Sequence, residues 1–128
     1  MIRISILMAA LICAAPALAA NEAAKSACQD ARSRPDEKVL SCTRVIDYKE
    51  KSDGERFAAY VSRARAHISK QDWDSSIADY DSAVRLVPDV AEIYDQRGAA
   101  YDRQGDRERA ISNYSAAIRL NPSNPIAY

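Results

Sequence analysis

Two stretches of this 128-residue chain are nearly identical. Residues 77–88 read IADYDSAVRLVP and residues 111–122 read ISNYSAAIRLNP, 34 positions further along. The correspondence continues upstream, where Tyr60 aligns with Tyr94 at the same offset. Because self-similarity at a fixed period of roughly 20–50 residues is the signature of repeat architectures, the chain is predicted to contain a structural unit that occurs twice.

Each unit has the spacing of two helices that pack against each other. In the second unit, residues 91–124, positions 4, 8 and 11 are Tyr94, Gly98 and Tyr101. This spacing of i, i+4 and i+7 places the three residues on one face of a helix. The first unit, residues 57–90, follows the same pattern more loosely. A single pair of helices cannot bury both of its faces, so neighbouring pairs are expected to stack.

The spacing resembles that of the tetratricopeptide (TPR) repeat, a helix-turn-helix unit of about 34 residues. Tyr114 and Ala117 in the second helix, and Pro122 after it, carry the resemblance together with the residues named above. It implies an all-α fold, a right-handed superhelical stack of antiparallel helix-turn-helix hairpins. Residues 125–128 would then begin a truncated third repeat.

Two glycines of the second repeat have predicted roles in packing and turning. Gly98, at position 8, is expected to let the second helix approach closely. Gly105 precedes Asp106 at the turn between the helices and is free to adopt a positive φ. In the first repeat, Ala64 and Gln71 stand at these two positions.

The start of the chain differs in composition from the rest. Residues 4–15 form an apolar run after a positively charged start, and an Ala-Leu-Ala cleavage pattern follows. Residues 1–19 are therefore predicted to be a secretory signal peptide, cleaved after Ala19 or, as second choice, after Ala20. The run is shorter than the roughly 20 residues that span a bilayer, so no stable membrane span is expected after cleavage. An uncleaved membrane anchor and a lipoprotein signal at Cys13 are the alternatives.

Removal of the signal peptide would leave two cysteines, Cys28 and Cys42. An even number of cysteines in an exported chain favours a disulfide between them. Two unpaired buried thiols are the alternative. Neither cysteine has a histidine nearby, so a zinc site is not expected.

Residues 20–50 are predicted to form a degenerate helical hairpin that covers the N-terminal end of the stack. One helix is expected at 21–32 and another at 38–46, with a linker at 51–55 before the repeats. The run Cys-Thr-Arg-Val-Ile resembles the cysteine helix that precedes the repeats in exported proteobacterial TPR proteins. This resemblance implies a disulfide-closed cap and a location in the periplasm or cell envelope of a Gram-negative bacterium.

The charge balance argues against several classes of partner. Lys and Arg together number 18, as do Asp and Glu, so the formal net charge is zero. Without a basic stripe to contact phosphates, binding to nucleic acid is not expected. The sequence has no glycine-rich phosphate loop and no metal-spaced set of His, Cys and Asp, so neither a cofactor nor a metal is expected.

No catalytic constellation stands out, and the chain is predicted to be non-enzymatic. The only histidine, His67, occupies a core position of the first helix. It is interpreted as a packed residue, with a general base as the alternative. Arg63 and Arg97, at position 7 of the two repeats, are interpreted as structural residues that pair with polar groups such as Asp79 and Asn113.

With positions 4, 8 and 11 in the core, positions 2, 5, 9 and 12 of each first helix would line the concave groove of the superhelix. The predicted ligand-binding residues are Ala58, Val61, Arg65, Ile68, Glu92, Asp95, Ala99 and Asp102. This stripe is apolar and basic in the first repeat and acidic in the second. Eukaryotic chaperone-binding TPRs hold a peptide carboxylate on this face with lysine and asparagine. Because Glu92 and Asp95 stand there instead, that activity is not expected.

These features predict an exported interaction module that binds another protein or a peptide through its concave face. The alternative is a structural subunit or fragment that self-associates, as a homo-oligomer, through its C-terminal end. That alternative rests on Ile118 and Leu120, which have only Ile126 and Tyr128 as further apolar cover in the sequence.

Overall fold

The computed structural model describes residues 4–123, with side chains from residue 17 onward. This part of the chain forms six helices and contains no strand. The helices are α1 Ile4–Gln29, α2 Pro35–Asp47, α3 Asp53–Ser69, α4 Trp73–Leu86, α5 Ala91–Gln104 and α6 Arg107–Leu120. The predicted all-α fold is confirmed. Residues 125–128, the predicted start of a third repeat, lie outside the described residues.

The helices form three hairpins that stack in chain order. Helix α1 packs against α2, α3 against α4, and α5 against α6, while α2 also packs on α3 and α4 on α5. Neighbouring hairpins therefore bury the faces that each pair of helices would leave open, as expected for stacked repeats. Within residues 4–123, no helix combines the length and the apolar character that a membrane crossing requires.

The two repeats turn in the same way between their helices. Gly105 has a φ of 92°, in the left-handed region, and Gln71 has a φ of 59° at the equivalent position. The next residue caps the following helix in both cases. A side-chain oxygen of Asp72 accepts the backbone N–H three residues on at 3.2 Å, and that of Asp106 does so at 3.0 Å. The positive φ predicted for Gly105 is confirmed.

A tyrosine of the second helix packs onto a small residue of the first helix in each repeat. Tyr80 and Ala64 are fully buried in one core cluster. In the second repeat, a Cβ atom at Gly98 would lie only 2.9 Å from Cε1 of Tyr114. The close helix approach predicted at position 8 is therefore confirmed.

A disulfide closes the first hairpin. It joins Cys28 of α1 to Cys42 of α2, with their Cα atoms 4.7 Å apart. Both cysteines are buried and share a core cluster with Val45 and with Ala59 of α3. The predicted disulfide is confirmed, and the core around it continues into the first repeat.

The end of α1 differs from the prediction of a helix over residues 21–32. Helix α1 ends at Gln29. After it, the Ser33 hydroxyl donates a hydrogen bond to the Ala27 carbonyl at 3.0 Å. Short side chains that bond to the nearby backbone compete with helical hydrogen bonds, which accounts for the earlier end.

The linker predicted at residues 51–55 is shorter than expected, because α3 begins at Asp53. A capping box sets this start. The Ser52 hydroxyl accepts from the Glu55 backbone N–H at 3.3 Å, and the Glu55 carboxylate accepts from the Ser52 N–H at 3.2 Å. The Ser-x-x-Glu pattern in the sequence is the signal that would have located it.

Ion pairs tie α1 to the start of α3. Lys25 Nζ lies 2.8 Å from a carboxylate oxygen of Glu55, and Lys51 Nζ lies 3.2 Å from the same oxygen. Lys51 also lies 3.5 Å from Glu22 Oε1, with its own side chain only 5% exposed. The hydrogen bond from Lys25 lowers the pKa of Glu55 most, followed by those from the Ser52 backbone N–H and from Lys51, and the pKa falls to about 2.

Candidate functional site

The predicted groove residues lie on α3 and α5, the first helices of the two repeats. Most of them are accessible: Arg65, Glu92, Ala99 and Asp102 are exposed, and Ala58, Ile68 and Asp95 are half-buried. Val61 differs, because it is only 8% exposed and belongs to a core cluster with Ile93. Its side chain therefore stabilises the contact between repeats and offers little surface to a ligand.

A hydrogen-bond network joins the two stripes across the repeat boundary. Arg65 Nη2 lies 2.7 Å from Glu92 Oε1, and Arg65 Nε donates to Gln96 Oε1 at 3.1 Å. The Gln96 amide also donates to Glu92 at 2.7 Å and accepts from the Tyr80 hydroxyl at 2.6 Å. Burial raises the pKa of Tyr80 to about 12, so this hydroxyl remains a donor at neutral pH.

Gln96 was missed by the sequence prediction. It lies four residues after Glu92, and residues at this spacing are neighbours on a helix surface. That spacing was the available signal. Glu92 and Gln96 of α5 thus form one polar surface together with Arg65 of α3.

A cleft of about 450 Å³ opens beside this network. Of the predicted groove residues, Ile68 and Ala99 line it. The other lining residues were not predicted: Gln71, Trp73, Ala100 and Arg103. They come from the turn of the first repeat, the start of α4 and the last turns of α5. The groove residues predicted from the first helix of each repeat therefore include only part of the cleft wall.

Two aspartates of α5 lie on the helix face that carries Ala99 of the cleft wall. Asp95 is half-buried and Asp102 is exposed. Burial raises the pKa of Asp95, and the negative charge of Glu92 adds to the effect. Within residues 17–123, neither carboxylate takes part in an ion pair or a hydrogen bond. Both are therefore available to a ligand.

The arginines at position 7 are structural, as predicted. Arg63 binds Asp79 through two hydrogen bonds of 2.9 and 2.7 Å, and this raises the pKa of Arg63. Arg97 Nε donates to Asn113 Oδ1 at 2.7 Å, and its Nη1 lies 2.6 Å from Asp81 Oδ1. The predicted pairings with Asp79 and Asn113 are confirmed.

His67 is packed against the same polar core. Its side chain is 13% exposed, with Nδ1 at 3.3 Å from Asp72 and Nε2 at 3.8 Å from Asp79. Asp79 is already held by Arg63, so this histidine lies beside a structural ion pair. Among the described residues, no group of three or more His, Cys, Asp and Glu side chains could hold a metal ion.

Known families match the repeat region. Residues 64–105 match the profile described as TPR repeat, and residues 91–124 match the profile described as tetratricopeptide repeat. The Hsp70-Hsp90 organizing protein of Triticum aestivum is 35% identical over 65 residues, which are 51% of this chain and 11% of that protein.

Heat shock protein STI1 of Saccharomyces cerevisiae is 30% identical over 78 residues, 61% of this chain and 13% of that protein. This chain thus spans only about a tenth of the length of either relative.

Solved structures show the same arrangement of helices. The first TPR of Spaghetti (RPAP3), bound to the HSP90 peptide SRMEEVD, superimposes with a TM-score of 0.68 at 23% identity, covering 87% of this chain and 83% of that one. MamA superimposes with a TM-score of 0.66 at 23% identity, covering 73% and 53%. At this identity the likeness concerns the fold alone. Residues 64–124 thus match tetratricopeptide repeat profiles, and the chain has the all-α TPR fold.

Proposed function

We propose that this protein is a non-enzymatic module that binds a polypeptide on the face formed by α3 and α5. The observation that carries the proposal is the cleft of about 450 Å³ on that face, with Ile68 of one repeat and Ala99 of the next in its wall. Its size falls in the range of roughly 300–1,000 Å³ that is common for ligand pockets. A cleft between repeats suits a chain segment that crosses both.

The related proteins support a polypeptide as the ligand class. The structure of RPAP3 contains an HSP90 peptide on its first TPR, and that TPR has the same fold as this chain. The described part of this chain, in turn, offers unpaired carboxylates on α5 and a cleft whose wall combines the apolar side chains of Ile68 and Trp73 with the polar ones of Gln71 and Arg103. Recognition of a peptide by side-chain complementarity suits these features better than a chemical reaction does.

The proposal can be tested by selecting peptides and then blocking the cleft. A phage library of random dodecapeptides is panned on the immobilised protein, and selected peptides are tested against two variants. Ala99→Phe places a ring in the cleft wall. Ala78→Phe is the matched control, because Ala78 is also exposed, lies on α4 and does not line the cleft.

We expect Ala99→Phe to weaken binding at least tenfold and Ala78→Phe to leave it unchanged. Circular dichroism verifies that both variants keep their helices. If no peptide is enriched, or if both variants bind equally well, the ligand does not bind at this cleft and the proposal is wrong.

We also propose that residues 1–19 are removed during export to the periplasm or cell envelope of a Gram-negative bacterium. The buried disulfide supports this location, because disulfides persist in oxidising compartments. Leu18, next to the proposed cleavage site, is 53% exposed. Expression with the native start, cell fractionation and intact-mass measurement test this. A cytoplasmic protein that retains residues 1–19 would contradict it.

Self-association through α6 is a second candidate role. Helix α6 packs mainly on α5, and it leaves Ile111 58% and Leu120 40% exposed. Leu120 lies at the C-terminal end of α6, where its exposed side chain could contact a second copy of the chain. Sedimentation of the chain without any ligand decides this: a dimer that Leu120→Lys converts to monomer supports self-association, whereas a monomer over the full concentration range excludes it.

A further inference from the structure

We infer that the face formed by α3 and α5 selects a peptide in which a basic side chain stands beside a large aliphatic or aromatic one. The inference rests on the proposed peptide binding and names the class of ligand. It follows from a cleft whose wall contains apolar side chains and from two unpaired aspartates on the helix face that carries Ala99.

The cleft supplies the apolar half of the recognition. Its wall contains the Ile68 side chain, the ring of Trp73 and the methyl groups of Ala99 and Ala100. The small alanines leave room in front of Trp73 and Ile68. Transfer of a leucine or phenylalanine side chain into such a site is favourable because apolar surface leaves water. A few buried anchors, aromatic ones above all, carry most of the binding energy at protein interfaces.

Two aspartates of α5 supply the acidic part of the recognition, and the geometry of the helix fixes their positions. Asp95, Ala99 and Asp102 have the spacing i, i+4 and i+7, which places them along one face of α5. Ala99 lies in the cleft wall, and the two aspartates stand about one turn before it and one turn after it on the same face of α5. Neither carboxylate has a partner within the described range. A cation on the residue next to the apolar anchor would reach one of them.

The other charges nearby do not cancel this pair. Arg65 is exposed on the same face, but it lies 2.7 Å from Glu92 and is neutralised by it. Arg103 is the one cation among the residues that line the cleft. Because Arg103 carries one positive charge and Asp95 and Asp102 carry two negative ones, the three side chains together have an excess of negative charge. An acidic ligand would meet two carboxylates, and the repulsion between like charges disfavours such a partner.

Trp73 provides a local readout, because it is the only tryptophan of the chain and lies in the cleft wall. Three dodecapeptides without aromatic residues serve as probes, with Lys-Leu-Lys, Glu-Leu-Glu or Lys-Gly-Lys at the centre of one neutral sequence. Each is titrated into the full chain while tryptophan emission is recorded, at low and at moderate salt.

We expect the Lys-Leu-Lys peptide to bind at least tenfold more tightly than either of the other two, and to weaken as salt screens the charges. The double variant Asp95→Asn/Asp102→Asn should lose roughly three- to tenfold of this affinity, as expected for two solvent-accessible charge pairs. The matched control is Asp89→Asn/Glu108→Gln, which removes the same charge from two exposed residues away from the cleft. It should retain the affinity.

Three results would overturn the inference. The Glu-Leu-Glu peptide binds as well as Lys-Leu-Lys, the control variant loses as much affinity as the groove variant, or none of the three probes changes the emission. If phage-selected peptides still bind and Ala99→Phe still blocks them, polypeptide binding stands and only the ligand class is wrong. If no peptide binds in either experiment, the proposed function itself fails.

Discussion

Gly98 of α5 lies directly against the ring of Tyr114 of α6. A Cβ atom at Gly98 would come within 2.9 Å of Tyr114 Cε1, closer than real Cβ atoms approach a neighbour, and within 3.2 Å of Asn113 Cβ, which is a tight contact. The two helices of the second repeat therefore meet at a distance at which any side chain at residue 98 would force its neighbours to shift. In the first repeat, Ala64 occupies this position and is fully buried.

Replacing Gly98 should destabilise the second repeat in proportion to side-chain size. We expect Gly98→Val to lower the free energy of unfolding by roughly 1–3 kcal/mol, the usual cost of overpacking a core, and Gly98→Ala to lower it by less. Gly54→Ala is the control, since its nearest neighbour is Ser52 Oγ at 4.0 Å. Urea unfolding curves that coincide for Gly98→Val and the wild type would show that the repeats do not pack in this register.

The turn of the first repeat stores backbone strain that glycine would relieve. Gln71 has a φ of 59°, where a side chain is disfavoured, whereas Gly105 holds the equivalent turn of the second repeat. We expect Gln71→Gly to raise the free energy of unfolding by about 1 kcal/mol, the order of the left-handed penalty. Gly105→Ala should lower it by a similar amount. Thermal unfolding measures both, and a lower melting temperature for Gln71→Gly would contradict the prediction.

The ion pair between Arg63 and Asp79 should contribute more to stability than the bond between Arg97 and Asn113. Only 6% of the Asp79 side chain is exposed, so Arg63→Met would leave a buried charge without its main partner. Such losses cost roughly 3–5 kcal/mol. Arg97→Met leaves the neutral Asn113 amide and the carboxylate of Asp81, which is 39% exposed and can be hydrated, so roughly 1–3 kcal/mol is expected.

Chemical denaturation of the two variants measures this difference. Adding Asp79→Leu to Arg63→Met should restore part of the stability, because the buried charge is then gone. If Arg63→Met unfolds at the wild-type denaturant concentration, Arg63 does not have the structural role that its contacts indicate.

The period of the repeat was sufficient to predict which residues lie on the packed face of each helix. Arg63 recurs as Arg97 and Tyr80 recurs as Tyr114, 34 positions further on, and the helix face that a residue occupies is a local property of the sequence. The disulfide could also be predicted, because only two cysteines remain outside the proposed signal peptide. Features that depend on one helix or on a count of residues are therefore within reach of the sequence.

The cleft could be predicted only in part, because it forms where separate segments meet. Ile68 and Ala99 follow from the stripe on each first helix, but Trp73 and Arg103 reach the cleft through the way α4 and α5 pack together. Val61 was wrongly predicted to line the groove, because the next repeat buries its side chain. The distance and angle between helices decide both cases, and neither is encoded in a periodic pattern.

Reduction of the disulfide should destabilise the cap. Cross-linking Cys28 to Cys42, 14 positions apart, removes chain entropy from the unfolded state, worth roughly 3 kcal/mol for a loop of this length. We expect a reducing agent to lower the unfolding midpoint of the wild type. The variant Cys28→Ala/Cys42→Ala should start at a lower midpoint and show no response to the reducing agent. Two free thiols in the mass spectrum of the non-reduced protein would contradict the assignment.

The ion pairs of Glu55 predict how stability depends on acid. Hydrogen bonds from Lys25, the Ser52 backbone and Lys51 lower the pKa of Glu55 from its ordinary 4.5 to about 2 in the folded protein. The unfolded chain therefore binds a proton at higher pH than the folded chain does. The stability from Glu55 is fully present above about pH 4.5 and is lost as the pH falls through about 2.

Glu55→Gln should remove this part of the acid sensitivity. Other carboxylates with lowered pKa values, those of Asp36, Glu37, Asp72 and Asp106, act in a similar range of pH, so the contribution of Glu55 is measured as a difference. We expect the gap in unfolding free energy between wild type and Glu55→Gln to be largest near neutral pH and to narrow from pH 4.5 towards pH 2. Glu108→Gln, at an exposed position of α6, is the control and should follow the wild type throughout. A gap that stays constant over this range would mean that the ion pairs joining α1 to α3 do not contribute to folding.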